Sequence, residues 1–369
     1  MILECTKKLL DYLKRTPTEN PELPDELFEW SAGLVTINRR NVIVVTNVAT
    51  RCCFVLYGVK AKDLKNIDML IIEGVRTMLL REHIRPEIAE KYLDELGREI
   101  IYSKNLSRSS SARCSKCCER AEYYADHYVE DDLFQKHLLH SLNKNIYSDA
   151  GSKDKYCFSF ETLRDLFKAK YGENICSCRV LKLEVKIQGL NCLRLLTIPA
   201  DFNFMIFHKI LQNVFEWRDY HLHQFILEND SCGRPTKIIE PANFDDDEDL
   251  SLFGMKIEKI NSAEITVGEV FDEYKKIIYE YDFGDDWIHE ITLKGVIDDS
   301  PDTAAHCLKA VGEAPVENCG GVDGFMNLKR ILSDPGDPEY EDTVTWLGSS
   351  QLQKPDAESI DRRISAYND

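Results

Sequence analysis

Four side chains in the second half of this 369-residue chain have the types and spacing of a zinc site. His221 and His223 stand two residues apart in a run of strand character, so both imidazoles would share one face. His289 and Cys319 would complete a set of His and Cys ligands of the kind that holds zinc tetrahedrally. The competing reading is packing, because His289 falls on the apolar side of its own strand beside Trp287 and Ile291. Asp282, Asp285, Asp286 and Glu290 lie close enough in sequence to hold Mg²⁺ for phosphodiester chemistry. Against that, Asp282 and Glu290 fall on polar strand faces, and turn aspartates are common for backbone reasons.

Three further patterns carry weaker chemistry. Cys114-x-x-Cys117-Cys118 has half of a zinc-ribbon spacing, and Cys176-x-Cys178 would be the other half, one residue too tight. The run around Cys114 also looks helical, and reduced surface thiols are the alternative. Cys319-Gly320-Gly321 precedes a helix at Val322, where free N–H groups could meet an anion or simply form a tight turn. Arg39, Arg40, Arg51, Lys60 and Lys62 lie near Trp30 and Tyr57, a basic and aromatic mixture suited to RNA or single-stranded DNA. Exposed turns are also basic without any ligand. The sequence has no Gly-Lys-Ser/Thr phosphate loop, dinucleotide fingerprint, Gly-x-Ser-x-Gly elbow or His-Glu-x-x-His. These absences weaken nucleotide hydrolysis, redox chemistry and the commonest hydrolases, so an enzyme is not the favoured reading.

The element that must position most of these residues is Tyr279–Leu293, which reads as a β-hairpin. Tyr279, Tyr281 and Phe283 alternate with Glu280 and Asp282, and Gly284-Asp285 supplies turn chemistry. Beyond the turn, Trp287, His289, Ile291 and Leu293 share a face. The binding residues expected here are Tyr281, Asp282, Asp285, Asp286 and Trp287, with Tyr220 from a preceding strand and Arg39 and Arg40 from the first half.

At this length two domains are expected. Residues 1–120 read as an α+β domain. A strand at Ile2–Cys5 precedes a helix capped by Thr6. Strands at 28–37, 42–46 and 53–57 form an antiparallel meander around an Asn38–Asn41 turn. Helices follow at Asp63–Arg81 and Arg85–Leu96, then a strand at Ile100–Tyr102. Ser107–Arg113 reads as a loop leading into a helix. Residues 121–178 read as a polar connector with helical pieces.

The domain at 179–369 opens with Leu181, Leu183, Val185 and Ile187 alternating with polar residues, answered by Leu193–Ile198. A helical apolar stripe runs from Phe204 to Phe215, followed by a strand at 220–227. An acidic loop at Asp245–Asp249, a helix at 267–276, the hairpin and three closing helices at 322–332, 339–347 and 357–366 complete it. Each half is thus expected to be a mainly antiparallel sheet with helices packed on it, an α+β fold.

The composition is 43% hydrophobic and 30% charged, as in globular proteins. No apolar run approaches the roughly 18 residues of a membrane span, and the start lacks the pattern of a signal peptide. A cytoplasmic location with 13 reduced cysteines is therefore expected. Residues 1–120 carry 20 Lys and Arg against 17 Asp and Glu, and the rest carries 26 against 47. The acidic second half repels phosphate backbones at long range, so nucleic-acid contact would fall to the first domain.

Leu193–Pro199, Phe215–Phe225, Tyr281–His289, Glu317-Asn-Cys-Gly-Gly321, Asp337–Glu341 and Trp346-Leu-Gly348, in that order over about residues 179–369, resemble the plasmid pRiA4b ORF-3-like family. That resemblance implies a passenger of plasmids, transposable elements and phages, with no general enzymatic activity attached. Members often carry a Cys just before the Pro-x-Glu-Asx-Cys-Gly-Gly run, where this chain has Ala314, so a metal-binding Cys pair there is in doubt. Residues 1–120, through Phe28–Arg40, resemble a small uncharacterised bacterial domain that also occurs alone. The function expected is that of a non-enzymatic interaction or regulatory protein of a mobile element, acting on a host protein or nucleoprotein complex. The alternatives are an RNA- or DNA-binding regulator working through the first domain, and a metal-dependent hydrolase or nuclease built on the His/Asp hairpin. No cofactor is expected beyond the candidate zinc, and no membrane partner.

Overall fold

The computed structural model describes residues 1–19, 21–22, 25–104, 107–144, 146–148, 156–241, 257–348, 352 and 355–365. The chain divides into two compact α+β units, Met1–Ser177 and Cys178–Asp369. The expected acidic loop at 245–249 and the last residue of the closing helix at 366 lie outside the described residues.

The first unit contains β1 (Ile2–Cys5), α1 (Lys7–Leu13), β2 (Trp30–Ile37), β3 (Arg40–Asn47), β4 (Cys53–Tyr57), α2 (Ile67–Arg81) and α3 (Pro86–Leu96). It continues through β5 (Ile101–Lys104), α4 (Arg108–Tyr123), α5 (Leu139–Asn143), β6 (Ile146–Ser148), β7 (Tyr156–Phe158) and α6 (Ser159–Tyr171). Five strands form one sheet in the order β4-β3-β2-β1-β5, and β6 pairs with β7. β2, β3 and β4 are the expected antiparallel meander, while β1 runs parallel to both β2 and β5. β3 reads as an unbroken apolar run because both its faces are covered. Ile43 and Val45 enter one core with α2 and α3, and Val42 and Val44 enter another with Cys117 and Ala121 of α4.

Two expectations change here. Ser107–Arg113 is not a loop: Ser107 accepts the Ser110 N–H at 2.9 Å and caps α4 directly. Nor is 121–178 a polar connector. Leu138, Leu139, Leu142, Leu163, Phe167, Ile175 and Cys176 are buried in the two cores of the first unit. Their apolar positions are sparse along the chain, yet each closes a gap that the meander leaves open.

The cysteines of α4 are packed rather than exposed. A Cβ on Gly33 would come 2.9 Å from Cys118 Sγ and 3.3 Å from Cys114 Sγ, so the helix can lie on β2 only over a glycine. Arg120 Nη2 donates to Cys117 Sγ at 3.1 Å. A hydrogen bond from Cys53 and the Arg120 charge pull the Cys117 thiol down to about 6 against burial, the Cys53 bond being the largest cause. Cys176 sits in the other core of this unit, so it does not complete a ribbon with them.

A half-buried acid, Glu29, beside the buried Glu4 gives this unit a pH dependence. Glu4 is fully buried and accepts the Ser110 hydroxyl at 2.5 Å. Burial, then the hydrogen bond and charge of Glu4, push Glu29 from 4.5 up to about 7. The folded state keeps a proton that the unfolded chain releases between those values. Stability from this group is therefore complete below about pH 4.5 and is lost as the pH rises through about 7. Denaturant midpoints recorded for the first unit from pH 5 to 8 should fall over that window, and Glu29→Gln should flatten the fall. A midpoint that rises with pH in the wild type would contradict the assignment.

The second unit contains β8 (Cys178–Ile187), β9 (Leu193–Pro199), α7 (Phe204–Phe215), β10 (His223–Asn229), β11 (Pro235–Glu240), β12 (Glu258–Asn261) and α8 (Val267–Glu273). β13 (Lys276–Tyr281), β14 (Trp287–Ser300), β15 (His306–Val311), α9 (Gly321–Leu332), α10 (Tyr340–Leu347) and α11 (Ala357–Ile364) follow. Eight strands form one sheet in the order β12-β11-β10-β13-β14-β8-β9-β15, antiparallel except for β11 with β12. The apolar stripe of α7, from Phe204 through Phe215, packs into the core formed with this sheet. No helix among the described residues is long and apolar enough to cross a membrane.

Candidate functional site

The hairpin forms as expected, and in its register Tyr279 faces His289 while Tyr281 faces Trp287. Its turn does not. Asp282 and Asp286, not Gly284, hold the left-handed backbone, with φ of 59° and 52°. The Asp282 carboxylate accepts the N–H groups of Gly284 at 3.1 Å and Asp285 at 3.4 Å, so it is spent on shaping the turn. Phe283 consequently leaves the aromatic face and is 46% exposed.

A second loop lies on this turn. Gly320 N–H donates to Asp285 Oδ2 at 3.1 Å. Gly321 has φ +67°, and a Cβ there would come 2.6 Å from the Asp285 carbonyl oxygen, so only glycine fits. The docked loop brings in Glu317. Tyr281 Oη donates to Glu317 Oε1 at 2.5 Å, and Arg218 N–H donates to Oε2 at 3.0 Å. Trp217 stacks on Tyr281 with ring centres 4.8 Å apart and donates its indole N–H to the Pro315 carbonyl at 2.9 Å. Burial and the neighbouring Glu317 both push the Tyr281 hydroxyl well above its ordinary range. Tyr281 and Trp287 are fully buried, so these two expected binding residues are core rather than surface.

Beside the docked loop opens a cleft of about 420 Å³. It is lined by Arg194, Arg218, Tyr220, Glu317, Trp346, Arg363 and several apolar side chains, among them Val316 and Ile360. Tyr220 is 69% and Trp346 52% exposed. Trp346 also borders a neighbouring hollow of about 410 Å³ lined by residues of α9 and α10.

The acids of the cleft are all engaged. Glu317 is held as described, Glu216 pairs with Arg363 at 3.0 Å, and Asp356 caps α11. Two of the cleft's three arginines are not matched to them. Arg194 is only 2% exposed, and its Nη1 donates to the carbonyls of Leu193, Val311 and Gly312 at 2.9, 2.9 and 3.1 Å. Its Nε has no partner, and neither Arg194 nor the exposed Arg218 has an ion-pair partner among the described residues. Sequence reading missed Arg194, Arg218, Glu317 and Trp346. Arg194 at an inward position of an apolar strand was the one available signal.

The four expected zinc ligands stand apart. His223 stacks on His208, with ring centres 3.4 Å apart and 4° between planes. With Asp219 these two form a group whose ligand atoms lie within 4.8 Å of one another. His208 is already committed, Nδ1 to Tyr279 Oη at 2.9 Å and Nε2 to Asp219 at 2.8 Å. Parallel imidazoles aim their in-plane lone pairs past each other, so one ion cannot meet both without a ring turning. His221 precedes β10, with Nε2 3.4 Å from Asp282 Oδ2. His289 is fully buried, its Nδ1 against the carbonyls of Trp287 at 3.0 Å and Tyr279 at 3.2 Å. Cys319 Sγ lies 3.9 Å from the Gly321 carbonyl, and burial pushes its thiol up to about 12. Asp285 and Asp286 belong to the turn, and Glu290 pairs with Lys276 at 2.8 Å.

In the first unit, Arg40 pairs with Glu130 at 2.9 Å, and Arg39 is exposed at a turn. Trp30 and Tyr57 are buried, at 1% and 4% exposure, so neither offers a face for stacking a base.

Residues 178–363 match the model of a family described as plasmid pRiA4b ORF-3-like protein. Residues 2–162 match a domain of unknown function, DUF6933. An uncharacterized protein, y4hQ, of Sinorhizobium fredii (strain NBRC 101917 / NGR234) is 25% identical over 175 residues, which are 46% of this chain and 82% of that protein. The crystal structure of a protein of unknown function, MM3350 from Methanosarcina mazei Go1, is 28% identical, covers 49% of this chain and 97% of its own, and aligns with a TM-score of 0.40.

Proposed function

Because this chain belongs to the plasmid pRiA4b ORF-3-like family, we propose that it is an interaction and regulatory protein of a mobile genetic element, such as a plasmid, transposon or phage. It acts by binding a host protein or nucleoprotein complex rather than by chemistry of its own. The observation that supports this reading is the pair of exposed aromatics at one cleft, Tyr220 and Trp346, with Arg218 between the same walls. Tyr, Trp and Arg are the residues that most often anchor protein partners, because they bury large area at little entropic cost. The acids of the cleft hold its own loops in place, which leaves aromatic faces and cationic groups for a partner.

The test is capture from host lysate by the full chain, followed by identification of the partner and reconstitution with it in purified form. Tyr220→Ala with Trp346→Ala should fold normally, since both side chains are exposed, and should lose that partner. Capture that survives nuclease treatment would mark a protein partner, and capture that nuclease abolishes would mark a nucleoprotein complex. Equal retention of the reconstituted partner by the double variant would sink the assignment of the cleft.

A further inference from the structure

We infer that the cleft is an anion-recognising site, and that the partner segment it takes is an acidic peptide presenting a carboxylate or phosphate next to an apolar or aromatic side chain. This rests on the cleft being the docking surface, and it adds what the docked group must be.

The argument begins with Arg194. A guanidinium taken out of water is costly unless a counter-charge accompanies it. Arg194 is 2% exposed, donates through Nη1 to three backbone carbonyls, and has no carboxylate partner among the described residues. Carbonyl dipoles orient the group but leave its net charge in place. Nη1 is thus committed and Cζ lies 5.4 Å from the Phe215 ring centre, which leaves Nε as the buried donor without a partner. Arg218 adds a second guanidinium with no ion-pair partner among the described residues, this one exposed and able to close on a ligand as a planar fork.

The lining holds three arginines and three carboxylates, so recognition rests on which donors are left free and not on net charge. Glu216 is matched by Arg363, Asp356 is occupied by the N–H groups of Glu358 and Ser359, and Glu317 accepts from Tyr281 and from the Arg218 backbone. The net charge of −18 spread over the whole chain is screened beyond about 8–10 Å at ordinary ionic strength, so the local arrangement of free donors governs the bound state. Trp346 and Tyr220 supply flat apolar surface, and a volume of about 420 Å³ suits one or two side chains of a peptide.

Minimal mimics give the test, with the full chain labelled with ¹⁵N at tryptophan and arginine. 3-Phenylpropionate carries the carboxylate, phenyl phosphate carries the phosphate, and 3-phenylpropionamide has the same body without charge. The Trp346 indole signal, identified by its loss in Trp346→Phe, should shift saturably with the two anions. The amide should bind at least tenfold more weakly. The Arg194 Nε–H signal should move with the anions and stay still with the amide. Arg218→Gln, an exposed substitution, should weaken both anions at least tenfold.

The tighter of the two anions identifies the group that the peptide presents, and equal affinity supports recognition of the shared charge. Equal binding of amide and acid, or anion affinity unchanged in Arg218→Gln, would overturn the inference. Its failure is separable from that of the docking reading. Loss of the reconstituted partner in the Tyr220/Trp346 variant but not in Arg218→Gln keeps the docking surface and removes the anion requirement. Anion binding with the partner retained by the Tyr220/Trp346 variant does the reverse.

Discussion

Trp287→Ala should lower the stability of the second unit by about 3–5 kcal/mol, the range for deleting a large aromatic from a packed core. Trp287 is fully buried, lies opposite Tyr281 in the hairpin register, and has its ring centre 6.0 Å from that of Trp217. Its indole N–H has no partner, so the side chain contributes as apolar volume rather than through a hydrogen bond. With domains typically stable by about 5–15 kcal/mol, a loss of that size leaves little margin. The effect should be confined by the division of the chain at Ser177 and Cys178. Hydrogen exchange resolved by peptide should show accelerated opening across β8–β15 and unchanged protection in β1–β5. Trp287→Phe should cost much less, because it keeps most of the ring and removes an unpartnered donor. Full stability in Trp287→Ala would mean that this face is not core, and would return Trp287 to the list of surface binding residues.

The hairpin shows how far the sequence can be read. Alternation with a period of two places Tyr279, Tyr281, Trp287, His289 and Ile291 inward, and all five are buried. The turn escaped because Asp282 and Asp286 adopt positive φ beside a glycine that does not need to. An Asp that bonds its own downstream N–H groups tolerates that conformation, and nothing local says which residue of Asp-Phe-Gly-Asp-Asp will do so.

Strands whose pairing is long in sequence were also hidden. β15 pairs with β9 over more than a hundred residues and carries His306, Lys309 and a register shift, so its alternation is broken. β12 is only Glu258–Asn261, too short to announce itself. The segment at 121–177 looked polar because its buried residues are spaced irregularly between surface ones, and only the meander they cover explains them. The cleft failed to appear for a related reason. Arg194, Arg218, Glu317 and Trp346 come from four separate stretches, and the loop that carries Glu317 is docked by contacts from Asp285, Tyr281, Arg218 and Trp217 that are distant from it in sequence. Motif spacing instead favoured His221, His223, His289 and Cys319, residues that share a sheet region but face different neighbours.

Acid should unfold the second unit well before it harms the first, and two histidines are responsible. Burial, then the neighbouring His208, pulls His223 from 6.5 down to about 3, and the Asp219 charge only partly opposes this. Burial pulls His289 from 6.5 down to about 4 against the two carbonyls beside it. Both imidazoles therefore stay neutral in the folded state while the unfolded chain protonates them. A depressed histidine contributes stability that is complete above the unfolded value near 6.5 and is lost as the pH falls toward the folded value.

At pH 5 unfolding should take up about two protons from these groups, which is a slope of about 2.7 kcal/mol per pH unit. Between pH 6.5 and 4.5 the combined loss is on the order of 5 kcal/mol, comparable with the whole stability of many domains. Over the same window Glu29 moves the first unit the other way, since its raised pKa favours the folded state at lower pH. Denaturant unfolding followed by hydrogen exchange at several pH values separates the two units. His289→Leu should remove about one proton from the slope of the second unit and leave the first unchanged. A second unit whose midpoint is flat from pH 7 to 4.5 would show that these imidazoles are solvated, and would reopen His223 and His289 as groups accessible to a metal or a ligand.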